Sequence, residues 1–181
     1  MSPQPHYSAP ARWAHWTTAA LMFAAFPLGV YMHELPLSPL KLQLISYHKW
    51  IGVGVLLLIL PRLFVRLTRR APAPLPAPAW QQKVAGLTHV LLYVLMIAVP
   101  MTGWLMSSAK GFPVVFLGVV PLPDLVGKSD ALGDFFATAH VTLNYTLLAL
   151  VVLHVAAAVK HHLFDRDATL SRMLPALARA R

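Results

Sequence analysis

The sequence predicts an all-α fold, an integral membrane bundle of four transmembrane helices. Of its 181 residues, 57% are hydrophobic and only 12% are charged, which is too apolar for a soluble domain of this length. Four apolar segments reach the length of about 20 residues that a helix needs to cross a bilayer core. They are residues 13–32, 45–65, 84–106 and 135–159 of a single membrane domain, residues 1–181.

Each segment is expected to be helical, because backbone groups in lipid must be hydrogen-bonded within the segment and four spans cannot close a barrel. Prolines inside the spans, Pro27, Pro61 and Pro100, predict kinks rather than breaks. The proline-rich run 71–78 predicts a stiff connection between the second and third helices. Residues 107–134 contain an apolar stretch too short to span, and they predict a flap at the membrane interface.

Positive charges are unevenly divided between the two ends of the predicted bundle. One set of ends and loops carries eleven of the 15 Lys and Arg: Arg12, Arg62, Arg66, Arg69, Arg70, Lys83, Lys160, Arg166, Arg172, Arg179 and Arg181. The other set carries four, namely Lys41, Lys49, Lys110 and Lys128. The positive-inside rule therefore places both termini in the cytoplasm and the flap outside.

Composition excludes several classes of function. The net charge of +9 does not indicate nucleic-acid binding, because the basic residues are scattered at the ends of apolar segments and do not form a patch with aromatic platforms. The chain has no cysteine, which excludes disulfides, iron–sulfur clusters, thiol catalysis and covalent haem attachment. Any haem must therefore be bound non-covalently.

Five of the nine histidines fall within the predicted spans: His15, His48, His89, His140 and His154. Polar residues at this depth are costly and indicate a function, although each one alone is also explained by a neutral imidazole hydrogen-bonded between helices. His140 and His154 lie 14 residues apart on one helix. This step rotates the chain by four turns less about 40° and advances it by about 21 Å along the helix axis. They therefore share a stripe with one ring near each membrane surface, the geometry for stacking two haems.

The second axial ligand of each haem must come from another helix at the same depth. His48 lies near the outer surface and matches His140, and His15 lies near the cytoplasmic surface and matches His154. His89 lies slightly deeper than His15 and is left without a partner. A zinc or di-iron site is disfavoured because no Asp or Glu occurs inside a span. Two bis-histidine haems b are expected.

The same 14-residue step leads from His15 to Gly29 and from His89 to Gly103. Both glycines are expected at the level of the outer haem, where the missing side chain clears room for a macrocycle. The alternative is an ordinary contact between small residues of packed helices.

A third such step leads from His48 to Arg62, near the inner haem. A guanidinium there is able to pair with a haem propionate through two hydrogen bonds. The alternative is a side chain that extends to the membrane interface.

Short motifs distributed over nearly the whole chain resemble those of a known family. They are Arg12-Trp-Ala-His15-Trp16, Tyr47-His48, Pro78-Ala-Trp80-Gln-x-Lys83, His89-Val-Leu-Leu-Tyr93, His140 with His154, His161-His162 and Leu170-Ser-Arg-Met-Leu-Pro175. On these residues the chain resembles the bacterial cytochrome b561 family, which includes superoxide:ubiquinone oxidoreductases. It is similar, more distantly, to the membrane cytochrome b subunits of hydrogenases and formate dehydrogenases.

The resemblance implies the same two ligand pairs, a bacterial inner membrane location and a quinone, ubiquinone, as electron acceptor. It also implies Lys83 and His161 as quinone contacts near the cytoplasmic surface. Lys83 directly precedes the third span, and His161 lies seven residues beyond His154, about two turns along the haem-ligand stripe. The side chains of Lys83 and His161 are therefore expected beneath the inner haem. The alternative is that Lys83 only follows the positive-inside rule and His161 is a solvated surface residue.

The favoured function is transfer of an electron from superoxide at the outer face, through the two haems, to the quinone. Lys41, Lys49 and Lys110 would attract the anion, with Lys110 the candidate for superoxide steering, although any outer loop carries a few lysines. The alternative is a membrane anchor and electron-relay subunit for a soluble dehydrogenase or a periplasmic redox protein. The loops offer little docking surface for such a partner, which favours the first function.

Overall fold

The computed structural model describes residues 6–69 and 72–177, which form mainly four long helices. Helix α1 spans Ala9–Glu34, α2 Pro39–Thr68, α3 Ala79–Ala109 and α4 Asp130–Leu163. Each predicted span lies inside one of these helices, and each helix continues beyond it at both ends. Four residues of the proline-rich run or of the charge count lie outside the described residues: Arg70, Ala71, Arg179 and Arg181.

Serine residues cap the N-termini of two of the helices. Ser38 precedes α2 and Ser129 precedes α4, and their hydroxyls accept hydrogen bonds from the N–H groups of Lys41 and Leu132. These bonds satisfy donors that the first turn of a helix leaves without a partner. The prolines inside the predicted spans do not end a helix, since α1, α2 and α3 continue through Pro27, Pro61 and Pro100.

Among the described residues, α2, α3 and α4 are long and apolar enough to cross a membrane. Only 11%, 17% and 6% of their most apolar windows is buried inside the protein, so broad apolar surfaces remain for lipid. Helix α1 is less apolar because its first half contains His15, Thr17 and Thr18. That α1 also crosses the membrane stays a prediction.

The helices pack as two pairs. Helix α3 packs along α4 and α1 along α2, and contacts between α2 and α3 join the pairs. The buried apolar cluster is small: Leu95 and Val99 of α3 meet Leu147 of α4, and Met22 of α1 partly covers them.

The start of α1 and the C-terminal segment lie at the same end of the bundle. The Tyr7 N–H donates to the Arg172 carbonyl (3.1 Å), and the Trp16 ring N–H donates to the Met173 carbonyl (3.1 Å). The Arg172 guanidinium donates in turn to the Ala73 carbonyl in the proline-rich connection (2.7 Å). This end carries the histidines predicted to lie near the cytoplasm.

The connection between α3 and α4 contains a two-stranded antiparallel hairpin, β1 (Val115–Phe116) with β2 (Val120–Pro121). The predicted flap, residues 107–134, is shorter in the structure because both helices extend into it and leave residues 110–129. The helices extend there because Ser107 and Ala109 are buried against the connection, which makes the end of α3 part of the packed structure. The term "flap" below means residues 110–129.

Two tryptophans fasten the flap to the bundle. Trp50 of α2 donates its ring N–H to the Val115 carbonyl (2.7 Å), and Trp104 of α3 donates to the Pro123 carbonyl (3.1 Å). Because these donors lie on different helices, the flap bridges α2 and α3 at one end of the bundle. This end is called the outer end below, and the opposite end the inner end.

Replacing Trp50 with Phe should loosen the flap, since the ring is kept and only its hydrogen bond to Val115 is lost. The loss of about 1 kcal/mol predicts about fivefold faster opening and tryptic cleavage at Lys110 and Lys128 in proteoliposomes. The control is Trp13→Phe, because the Trp13 side chain is exposed. Equal cleavage rates in both variants would contradict the fastening role of Trp50.

Candidate functional site

His48 of α2 and His140 of α4 face each other at the outer end of the bundle, with ring centroids 6.2 Å apart. The His48 Nδ1 lies 3.1 Å from the Ala25 carbonyl, and the His140 Nδ1 lies 2.9 Å from the Val99 carbonyl. A carbonyl oxygen only accepts, so each Nδ1 carries the proton. The Nε2 lone pair of each neutral ring is then free to bind a metal, a common arrangement for histidine ligands.

His15 of α1 and His154 of α4 form a similar pair at the other end, with ring centroids 6.3 Å apart. Here the Arg62 guanidinium lies 2.9 Å from the His15 Nδ1. A guanidinium only donates, so His15 accepts through Nδ1 in this arrangement. For His15 to bind a metal through Nε2 as a neutral ring, the proton must move to Nδ1 and Arg62 must turn away.

Both separations fit two imidazoles on one metal ion. A metal–imidazole bond is about 2 Å long and a ring nitrogen lies about 1.1 Å from its centroid, so two axial imidazoles have centroids about 6 Å apart. By this separation the outer pair is able to hold one metal ion between its rings, and the inner pair requires in addition that Arg62 turn away. His89, which the sequence left without a partner, lies against His154 with ring centroids 5.5 Å apart.

Two glycines lie against the outer histidines, at the level predicted for them. A Cβ on Gly29 would lie 3.1 Å from His48 Cε1, and one on Gly103 would lie 2.9 Å from His140 Cε1. The missing side chains therefore let the imidazole rings approach the backbones of α1 and α3 closely. Their clearance of a macrocycle stays a prediction.

One cleft adjoins both histidines of the outer pair, and another adjoins His15 of the inner pair. The outer cleft, about 620 Å³, lies beneath the flap and is lined by His48, His140, Gly103, Lys49 and Val114 among others. The inner cleft, about 450 Å³, is lined by residues that include His15, Arg62, Arg66, Arg69 and Tyr93. Both clefts are partly open to their surroundings, and these volumes include that open space.

Arg62 has several partners at the inner cleft. Its guanidinium lies 5.2 Å from the centroid of the Tyr93 ring, over the ring face, as well as beside His15. Arg66 and Arg69 line the same cleft. The sequence reasoning did not single out these two arginines or Tyr93, although the spacing of 62, 66 and 69 places three arginines on one helix face.

Lys110, predicted to steer superoxide, is held by carboxylates at the start of α4. Its ammonium lies 2.8 Å from Asp134 and 3.7 Å from Asp130. The hydrogen bond to Asp134 raises the pKa of Lys110. Two negative charges offset its own charge, so Lys110 is a weaker attractor of anions than the sequence suggested, and its role in steering stays a prediction.

Lys83 and His161, predicted to contact quinone, lie at the inner end of the bundle. Lys83 is exposed in the early part of α3, and His161 is partly buried in the last turn of α4. No hydrogen bond joins the two side chains in the described part of the chain. His161 contacts Asp165 and Asp167 instead, two residues that the sequence reasoning missed.

Comparison with known proteins gives one family. The family model described as "Prokaryotic cytochrome b561" matches residues 6–176. The chain is 30% identical over 171 residues to "Cytochrome b561 homolog 2" of Escherichia coli (strain K12), covering 88% of this chain and 86% of that protein. It is 30% identical over 165 residues to "Cytochrome b561 homolog 1" of the same organism, covering 89% and 92%. It is 29% identical over 140 residues to "Probable superoxide oxidase CybB" of Yersinia pestis, covering 72% and 78%.

Gly103→Ala should displace His140 and weaken the outer haem site, because the new methyl group would lie 2.9 Å from the imidazole. Overpacking of this kind costs about 1–3 kcal/mol. The control is Gly86→Ala on the same helix, where a Cβ meets nothing within 4 Å. We expect a lower haem-to-protein ratio in the purified Gly103 variant and an unchanged ratio in the control. Full haem content and an unaltered spectrum in Gly103→Ala would argue against the outer site.

Proposed function

The chain belongs to the prokaryotic cytochrome b561 family, and on this premise we propose that it passes electrons from superoxide, on the periplasmic side, to a membrane quinone. Two haems b are part of the proposal, one held by His48 with His140 and one by His15 with His154. The family is one of membrane electron-transfer cytochromes with b-type haem, so the chain is a bacterial membrane protein of oxidoreductase type.

The proposal is carried by one observation: the distance between the ring centroids is nearly the same in the two histidine pairs, 6.2 Å at one end of the bundle and 6.3 Å at the other. Histidines hydrogen-bonded only to one another or to backbone would not need this spacing twice. Both pairs include one ring from α4, so a single helix connects the two sites. Bound haem supplies one-electron redox chemistry at each site.

The protein's own residues orient the ligands and balance charge. The carbonyls of Ala25 and Val99 favour the tautomer of each outer imidazole with the proton on Nδ1, which would leave Nε2 to bind the iron. At the inner cleft, Arg62 and the neighbouring Arg66 and Arg69 favour negatively charged groups such as propionates.

Support for superoxide comes from the relative named as a probable superoxide oxidase and from Lys49. The Lys49 ammonium lines the outer cleft and donates to the carbonyls of Phe112 and Pro113 in the flap, at 3.3 Å each. Neutral carbonyls do not cancel its charge. Asp124 is close enough to act on that charge but forms no ion pair with Lys49 among the described residues, whereas Lys110 is paired with Asp134. Lys49 is therefore better placed than Lys110 to attract a small anion.

The proposed reaction balances at the quinone. Two superoxide anions release two electrons and become two molecules of O2, and the quinone takes the two electrons with two protons to become a quinol. The quinone oxygens become anionic as electrons arrive, so hydrogen-bond donors there speed the reaction. Lys83 and His161 are the proposed donors, since both lie at the inner end of the bundle near cytoplasmic water.

Lys83→Ala and His161→Ala should slow reoxidation of the pre-reduced protein by a short-chain ubiquinone by about tenfold each, the effect of losing one hydrogen bond to a charged group. Stopped-flow absorbance should show normal reduction by superoxide in both variants. Lys128→Ala, in the flap at the opposite end, is the control and should behave as the unaltered chain.

Each half of the proposal has its own contradicting result. Unchanged reoxidation in both variants would move the quinone site away from Lys83 and His161. If superoxide does not reduce the unaltered protein, superoxide is not the electron donor. The donor would then be a periplasmic redox protein or a soluble dehydrogenase.

A further inference from the structure

The imidazole of His161 lies against two carboxylates just beyond the end of α4. Its Nδ1 is 2.8 Å from an oxygen of Asp165 and 3.0 Å from an oxygen of Asp167. One ligand atom from each of the three residues falls within 4.8 Å of the others. Because both carboxylates approach the same nitrogen, the other ring nitrogen, Nε2, is not engaged by them.

The backbone after α4 brings the two carboxylates together. Arg166, between them, has a φ of +53°, a left-handed conformation that costs about 1 kcal/mol for a residue with a side chain. The Asp167 N–H donates to the His161 carbonyl (3.1 Å), which folds the segment back onto the helix end. Asp165 and Asp167 thus flank a turn and present their side chains to one imidazole.

The two carboxylates are held differently. One oxygen of Asp167 accepts the Thr169 N–H (2.7 Å), which leaves the other oxygen for His161. Asp165 is shared, because the Lys160 ammonium donates to both of its oxygens. The hydrogen bond from Lys160 lowers the pKa of Asp165, and His161 lowers it further, so Asp165 is ionised at neutral pH.

We propose that Asp167, assisted by Asp165, is a positioning residue that holds the Nδ1 edge of the His161 ring at the carboxylates and presents Nε2–H to the quinone as a proton donor. This inference rests on the proposed quinone site. It adds a function for two residues outside that site, a fixed anionic support for the group that protonates the reduced quinone.

The proton transfer balances with the carboxylates unchanged. An Nε2–H bond of the doubly protonated imidazole breaks as an O–H bond forms on the reduced quinone, and the neutral ring then takes a proton from water at the inner surface. The carboxylates orient the ring and offset its positive charge without being protonated, the role that an aspartate has beside a catalytic histidine. Two such transfers, with two electrons, complete one quinol.

A metal ion is the other ligand that one histidine and two aspartates are able to bind. In this structure the Lys160 ammonium already lies 2.7 Å from Asp165, and a second cation would have to displace or approach it. The charge arrangement therefore favours the imidazole, and not a second cation, as the partner of the carboxylates.

The test compares Asp167→Asn, Asp167→Glu and His161→Ala in the haem-loaded, full-length protein. Pre-reduced protein is mixed with a short-chain ubiquinone, and the rate of reoxidation is measured over a range of quinone concentrations in H2O and in D2O. Asn keeps the size of Asp but removes its charge, whereas Glu keeps the charge. Glu34→Gln, the same loss of charge on an exposed residue at the outer end, is the control.

For Asp167→Asn we expect reoxidation at saturating quinone to fall about tenfold, less than the factor of about 10²–10⁴ attributed to acid–base catalysis as a whole. The quinone concentration for half-maximal rate should change less than threefold, and the solvent isotope effect should rise. Asp167→Glu should restore most of the rate, and Glu34→Gln should leave it unchanged. All variants should keep their haem content and spectrum.

Two results separate this inference from the proposed function. If His161→Ala is as fast as the unaltered chain, the proposed quinone site is wrong, and this inference is wrong with it. If His161→Ala is slow but Asp167→Asn is as fast as the unaltered chain, the quinone site stands and the positioning role of Asp167 is overturned. A slow Asp167→Asn that Asp167→Glu does not improve, with an unaltered isotope effect, would also overturn it.

Discussion

A polar ring inside a lipid-facing helix is costly unless it has a partner, and in this bundle the imidazoles of four histidines face one another in two pairs. Helix α4 supplies one ring to each pair, and α1 and α2 supply the others. At the outer pair, Gly29 and Gly103 let the rings approach the helix backbones closely. The buried apolar cluster of Leu95, Val99 and Leu147 lies on the same helices, α3 and α4.

The two ends of the bundle differ in the charge that surrounds the histidines. At the outer end, backbone carbonyls hold the ring protons, and the flap covers the cleft with Lys49 at its edge. At the inner end, three arginines of α2 line the cleft and Arg62 reaches His15. Cationic surroundings stabilise added negative charge, so this distribution is suited to electrons that arrive outside and leave inside.

The sequence predicted the helices and the common stripe of His140 and His154 because both depend on local periodicity, and it predicted which histidines face each other by matching their depths on neighbouring helices. Residues 14 apart on one helix share a stripe whatever the neighbouring helices do, so His140 with His154, and the level of Gly29 and Gly103, followed from helix geometry alone. The family, predicted from short motifs spread along the chain, is confirmed by the comparisons.

The remaining features depend on turns and on contacts between distant residues. The pairing of Lys110 with Asp134 requires the flap to bring the end of α3 beside the start of α4. The carboxylates around His161 require a left-handed Arg166, a conformation that residues other than glycine rarely adopt and that the sequence does not mark. The position of His89 beside His154 depends on how α3 and α4 rotate against each other, which hydrophobic patterning does not determine.

The proposed function requires that the four paired histidines hold two haems in one chain. The most direct measurement is the amount of haem b per polypeptide in the purified protein, determined from the pyridine haemochrome spectrum and a quantitative amino-acid analysis. Two matched imidazole pairs predict a value close to two. A value close to one would contradict the two-haem assignment, because one of the pairs would then be a contact between helices and not a cofactor site.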